Sequence, residues 1–152
     1  MPRLPGVYVR DLVVHPDDRG RLFEVLRSDD PEFGGFGQAY ITTTYPGVVK
    51  AWHRHQAQDD HFCVLKGMIK LVIHDNRPGS PTAGVTDEIW FGEHKLRRVV
   101  VPAGLWHGWT CVSEREAMIL NLATAVYNHQ KPDEERLPAH GVIPYDWARR
   151  DG

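Results

Sequence analysis

Short apolar runs, broken by clusters of turn-forming polar residues, make up most of this chain. The runs at 7–14, 21–26, 38–44, 48–54, 61–65, 68–74, 88–91, 97–101, 109–112 and 117–126 are rich in β-branched and aromatic residues and read as strands. Glycine, proline, asparagine and aspartate punctuate them at 16–20, 34–35, 46–47, 76–81 and 102–104. Many short strands at this spacing predict an all-β, antiparallel barrel or sandwich. No internal repeat, low-complexity stretch or linker interrupts the pattern, so a single domain over 1–152 is expected. From His129 onward the chain is polar and broken by Pro132, Pro138 and Pro144. That segment reads as loop, with a short helical turn at 132–136, where a proline opens and acids follow.

Composition narrows the function. A chain of 152 residues is long enough to bury a sizeable core. Its formal net charge of -2 gives no broad basic field, so nucleic acid is not an expected partner, although a local cation cluster could still take a phosphorylated small molecule. Cys63 and Cys111 lie inside apolar runs and are expected to be buried free thiols. The sequence opens on no charged-then-apolar leader, and no apolar run approaches the ~18 residues of a membrane span. A soluble, cytoplasmic protein with no membrane partner is the expectation.

Two histidine segments carry the chemistry. Gly47, His53, His55, Asp60 and Gly67 are spaced as G-x5-H-x-H-x4-D-x6-G, and Pro102, Gly104 and His107 as P-x-G-x-x-H. Residues two apart on a strand share a face, so His53 and His55 project together. The same alternation lets only one of Asp60 and His61 face that side. It also puts Lys50 opposite His53 unless a bulge intervenes. Both spacings resemble those of the cupins, with Asp60 where glutamate is usual. The resemblance implies a jelly-roll barrel with the histidines inside. Imidazoles gathered in a cavity can hold a metal or move protons.

Further motifs sharpen the resemblance. Asp18-Arg19-Gly20 with Glu24, then Gln38, Lys50 to His53, and Asp75-x-Arg77-x-x-Ser80-Pro81-Thr82-x-Gly84 occur in order. Pro102 to Gly108, Tyr127, Pro132 with Glu135, and Ile143 with Trp147 follow. The ordered set resembles dTDP-4-dehydrorhamnose 3,5-epimerases and related sugar-nucleotide cupins. That likeness implies proton transfer beside the ketone of a dTDP-4-keto-6-deoxy sugar, with no cofactor required. It implies that His53 is the base and that Arg19, Glu24, Gln38, Lys50, His107 and Glu135 contact the substrate; His55, an additional histidine on the same strand, and Tyr127, the nearest substitute for the family's acid, complete the candidate catalytic set. It also implies a homodimer paired through an edge strand, with 7–14 as the candidate. The S-P-T loop reads as architecture, with Arg77 paired to Asp75.

The chain departs from the family pattern at three places. The family's catalytic tyrosine falls at Asn121, its lysine before the middle strand at Asp60, and the aspartate that partners its catalytic histidine has only Asp146 and Asp151 as stand-ins. The H-x-H pair is shared with sugar 3,4-ketoisomerases, so 3-epimerization or ketoisomerization stand beside 3,5-epimerization. The alternative is a metal-dependent cupin, a dioxygenase or small-molecule-binding protein, with His53, His55, Asp60 and His107 holding iron, manganese, nickel or zinc.

Overall fold

The computed structural model describes residues 4–152. Among the described residues twelve strands form and there is no helix. β1 (Tyr8–Asp11), β9 (Arg97–Val101), β6 (Asp60–Lys66), β11 (Ala117–Ala123) and β4 (Gln38–Thr44) make one five-stranded sheet in that order. β12 (Glu135–Arg136), β5 (Val49–Arg54), β10 (Trp106–Cys111), β7 (Met68–His74) and β8 (Thr86–Gly92) make the second. All named strand pairs are antiparallel, and β2 (Val14–Asp17) with β3 (Gly20–Phe23) forms a separate hairpin. This is the antiparallel jelly-roll barrel expected from the sequence.

Period-two alternation decides which side chains meet inside. Phe62 and Val64 on β6, Ile119 on β11, Leu71 and Ile73 on β7 and Trp109 on β10 are all buried in one cluster, so the two sheets face each other across it. The opposite face of the second sheet carries its own cluster, in which Trp52, Val72 and Trp106 pack against Ile143 and Trp147 of the C-terminal segment. On the outer face of the first sheet, Arg98 is buried and paired with Asp30 at 2.5 Å and Glu32 at 2.9 Å. Cys63 and Cys111 are buried and free, as expected. No helix among the described residues is long and apolar enough to cross a membrane.

The structure differs from the sequence reading in three ways. The run 7–14 divides, because β1 follows β9 only as far as the Leu12 amide on the Leu96 carbonyl, and the chain then turns into the hairpin. The turn expected at 16–20 narrows to Asp18 and Arg19, since Asp17 already pairs with Gly20. The helical turn expected at 132–136 is extended instead. The Asp133 carboxylate accepts the amides of Gln56, Ala57 and Gln58 at 2.8, 3.0 and 3.0 Å, and Glu135 and Arg136 pair with Arg54 and His53. Those long-range bonds satisfy backbone groups that a single helical turn would leave open.

One irregularity positions the site. Across β5 and β10, His107 faces His53 while Trp109 faces Lys50, so β5 spends one extra residue over the same length. This is a β-bulge, and it turns Lys50 to the same side as His53. The Ala51–Trp52 peptide within it is cis. Gly108 sits against the bulge, and a Cβ there would lie 2.4 Å from the Ala51 Cβ and 2.8 Å from the Lys50 carbonyl. A Gly108→Ala substitution should therefore cost about 1–3 kcal/mol in urea unfolding, the usual range for forcing an extra methyl into a packed interior. Activity should fall further than stability, because the bulge sets the relation between Lys50 and His53.

Candidate active site

The barrel interior holds a cavity of about 360 Å³. His53 and Lys50 reach it from β5 and His55 from just past its end, His107 and Trp109 from β10, Asp60 and Phe62 from β6, and Gln38, Tyr40 and Thr42 from β4. Gln58, Tyr127, Glu134 and Arg136 close its remaining sides. Lys50 bridges the sheets, donating to Thr42 Oγ1 at 3.0 Å and to the Thr43 carbonyl at 2.6 Å.

Asp60 is the centre of the polar network. It is 1% exposed. Its Oδ1 accepts from Gln58 Nε2 at 2.7 Å and from Asn121 Nδ2 at 2.8 Å. Its Oδ2 lies 3.2 Å from Nε2 of His55 and 3.2 Å from Nε2 of His107. Burial alone would raise its pKa, but the hydrogen bonds from His107 and His55 outweigh it and hold the carboxyl well below the usual range. The other nitrogen of His55 meets the Asp133 carbonyl, and that of His107 meets the Leu105 carbonyl at 3.2 Å. Carbonyl and carboxylate oxygens only accept, so His55 is called on to donate from both nitrogens, which makes it an imidazolium. Burial is the largest single influence and opposes that charge, but the hydrogen bond and charge of Asp60, with the Asp133 carbonyl and Glu134, together outweigh it and push the His55 pKa up to about 9.

His53 is arranged the other way. Its Nδ1 lies 2.9 Å from Glu134 Oε1. Glu134 is desolvated, yet bonds from Arg136 at 2.8 Å and from His53 keep its carboxyl below the usual range. An ionised carboxylate can only accept, so Nδ1 carries the hydrogen and Nε2 keeps a free lone pair. Burial, helped by the charge of His107, lowers the His53 pKa despite Glu134. The result is a neutral imidazole with an open basic nitrogen in a cavity, which is the state a general base needs.

The predicted residues divide. His53, His55, Gln38, Lys50, His107 and Tyr127 line the cavity. Gln38 Oε1 also accepts the Tyr127 amide at 2.9 Å. Asp60, not His61, faces inward, and His61 lies buried beneath the other side of β6. Three residues expected at the substrate are elsewhere in this chain. Arg19 sits on the hairpin turn, bonded to Asp17 at 2.5 Å and 90% exposed. Glu24 pairs with Arg27 at 3.0 Å, and Glu135 pairs with Arg54 at 2.5 Å outside the cavity. Asp146 caps the Ala148 amide at 2.9 Å and Asp151 lies 3.6 Å from Arg149, so neither partners His53. Glu134 does, at 2.9 Å, a residue the sequence pattern does not single out because its register on the two-residue β12 is set by long-range pairing. Tyr40, Gln58 and Arg136 were also missed. Period two on β4 does place Gln38, Tyr40 and Thr42 on one face, which was the available signal.

Of the four residues named for a metal, His55, Asp60 and His107 have ligand atoms within 4.8 Å of one another. His53 is turned to Glu134 instead. The atoms of the cluster that would bind an ion already satisfy each other as donors and acceptor, so the set fits an ion pair as well as it fits a metal. The S-P-T loop is architectural as expected: Asp75 is buried and accepts from Arg77 at 2.8 Å, Ser80 at 2.6 Å and Thr82 at 2.7 Å.

The raised pKa of His55 has a consequence for stability. Its contribution is full below the unfolded value near ~6.5 and is lost as pH rises through about 9. The Asp60 contribution is present above the unfolded carboxylate value near ~3.9 and is lost on acidification. Asp60→Asn should cost about 3–5 kcal/mol at pH 6, because it leaves buried donors facing an amide. It should also flatten the decline in stability between pH 6.5 and 9, as read by denaturant unfolding at a series of pH values.

Comparison with known proteins identifies the family. The sequence model of the dTDP-4-dehydrorhamnose 3,5-epimerase family matches residues 2–141. The probable low-salt glycan biosynthesis epimerase Agl13 of Haloferax volcanii is 44% identical over 145 residues, covering 91% of this chain and 90% of the relative. The spore coat polysaccharide biosynthesis protein SpsL of Bacillus subtilis is 38% identical over 145 residues, covering 95% and 96%. The crystal structure of a dTDP sugar isomerase from Desulfovibrio desulfuricans G20 superposes with a TM-score of 0.90 at 30% identity, covering 97% of this chain and 94% of that one. These relatives favour a sugar-nucleotide epimerase over a metal-dependent cupin.

Proposed function

Because this chain belongs to the dTDP-4-dehydrorhamnose 3,5-epimerase family, we propose that it transfers a proton at a carbon beside the ketone of a dTDP-4-keto-6-deoxy sugar, inverting that carbon as a 3,5-epimerase or 3-epimerase or moving the ketone as a 3,4-ketoisomerase. The observation that carries this reading is the His53–Glu134 pair, a neutral imidazole with its outer nitrogen free inside a cavity. A carbon next to a ketone is acidified, and its proton needs a base held in place. His53 Nε2 takes that proton, and the electron pair moves onto the ketone oxygen as an enolate. Glu134 keeps the ring in the reactive tautomer and stabilises the imidazolium that forms. Lys50 and the His55 imidazolium provide positive charge in the same cavity for the enolate.

His55 acts as a fixed charge. Both its nitrogens are engaged, so it does not shuttle protons as the H-x-H pair suggested. The reaction is internal redox-neutral proton movement, so no metal or other cofactor is required, and His55, Asp60 and His107 serve as an ion-paired wall. Arg136 at the cavity side and Lys50 offer cations to the diphosphate. Arg19 and Glu24 stand away from the cavity of their own chain and would reach a nucleotide only from a second copy. That fits the homodimer we propose, and β1, an edge strand, stays the candidate seam. We place the protein in the cytoplasm, as a single cupin domain making sugar precursors for surface polysaccharide or glycan.

The test is incubation with dTDP-4-keto-6-deoxyglucose in deuterated water. Wild type should exchange the proton at carbon 3, carbon 5 or both, and should do so after dialysis against chelator. His53→Asn should lose about a hundredfold or more of that exchange while still binding dTDP. The rate in wild type should fall on the acid side with a midpoint below the ordinary histidine value, since protonating His53 removes the base. Retained exchange in His53→Asn, or loss of exchange on chelation, would contradict the reading.

A further inference from the structure

The position where the family carries its tyrosine acid is Asn121, yet a phenol occupies the same corner of the cavity from the neighbouring strand. Tyr40 on β4 pairs directly with Asn121 on β11. Asn121 is fully buried and donates through Nδ2 to the Tyr40 hydroxyl at 2.8 Å. Its orientation is fixed: Oδ1 accepts the His61 amide at 3.0 Å, and Nδ2 also donates to Asp60 at 2.8 Å. The Tyr40 oxygen is therefore held as an acceptor, and its own hydrogen is left for another partner. Tyr40 lies on the sheet that faces the sheet bearing His53, and both side chains line the one cavity. A ligand ring between the sheets would have the base on one side and this phenol on the other.

Resting on the epimerase reading above, we infer that the Tyr40 hydroxyl is the catalytic acid that returns a proton to the face opposite His53, with Asn121 as its positioning residue. The phenol O–H bond breaks, its proton forms the new C–H bond on the enolate carbon, and the enolate electrons restore the ketone. The phenolate left behind is stabilised by the Asn121 amide. Solvent protonates Tyr40 and deprotonates His53 to complete the cycle. Burial raises the Tyr40 pKa while the Asn121 hydrogen bond opposes it, so the hydroxyl is protonated at neutral pH and has a donor ready for its anion. Tyr127, named from the family likeness, is less well held. Only its backbone amide is fixed by Gln38, its ring meets His129 edge-on at 4.8 Å, and among the described residues no group hydrogen-bonds its hydroxyl.

The two half-reactions can be read apart with dTDP-4-keto-6-deoxyglucose in deuterated water, following deuterium at the reacting carbon and the formation of inverted product. Tyr40→Phe should lose about a hundredfold or more of inversion. It should keep deuterium wash-in, because His53 can return a solvent-exchanged deuteron to the face it came from, and should bind dTDP as wild type does. Inversion should fall further in Tyr40→Phe than in Tyr127→Phe. Asn121→Leu, or Asn121→Ser if the first does not fold, should lower kcat with little change in KM. It should also move the alkaline limb of the kcat profile to higher pH, since the phenolate loses its donor. Normal inversion by Tyr40→Phe, or loss of wash-in together with inversion, would overturn the assignment. So would loss of inversion in Tyr127→Phe alone. An unmoved alkaline limb in the Asn121 variants would remove the positioning role. If wild type shows neither wash-in nor inversion, the epimerase reading itself fails, a result distinct from all the others.

Discussion

A buried carboxylate with four hydrogen-bond donors is the constraint around which this barrel interior is arranged. Leaving Asp60 ionised and unpaired there would cost several kcal/mol. Gln58, Asn121, His55 and His107 therefore converge on it from neighbouring strands and loops of both sheets. Three of those partners are then fixed for a second purpose. Asn121 is oriented so that its amide meets Tyr40, His55 is locked as a cation, and His107 has an acceptor at each ring nitrogen. One anion thus decides the protonation or orientation of one whole wall of the cavity.

The opposite arrangement at His53 follows from the same chemistry with a different geometry. His53 on β5 and His55 just past its end both face carboxylates, but Glu134 reaches only one nitrogen of His53 while His55 is held at both. Burial therefore wins at His53 and charge pairing wins at His55. Two imidazoles two residues apart are separated into a neutral base and a ring that stays cationic up to about pH 9. Pairs of like groups driven to different protonation states are what acid–base catalysis requires.

The barrel was legible because strand signals are local. All ten apolar runs correspond to strands, and the histidine spacing placed His53, Lys50 and His107 on one cavity once a bulge was allowed. Gly108 could have signalled that bulge, since its neighbourhood admits no side chain, but a glycine after a histidine looks like ordinary turn chemistry in sequence. Glu134 and Arg136 were hidden for a different reason. They enter the site through β12, a two-residue strand whose register depends on Asp133 gripping three amides of a loop more than seventy residues earlier. No local pattern encodes such a pairing. Arg19 and Glu24 show the converse: their motif matched the family, yet their position on a separate hairpin takes them off their own cavity.

The central claim is the division of charge between His53 and His55, and long-range proton–nitrogen NMR of the histidine rings tests it most directly. At pH 7.5, the ligand-free protein should show His53 as the neutral tautomer with hydrogen on Nδ1 and His55 as an imidazolium with both nitrogens protonated. Asp60→Asn should convert His55 to a neutral ring and leave the His53 tautomer in place. A His53 ring with its hydrogen on Nε2, or a neutral His55 in the wild type at that pH, would contradict the account.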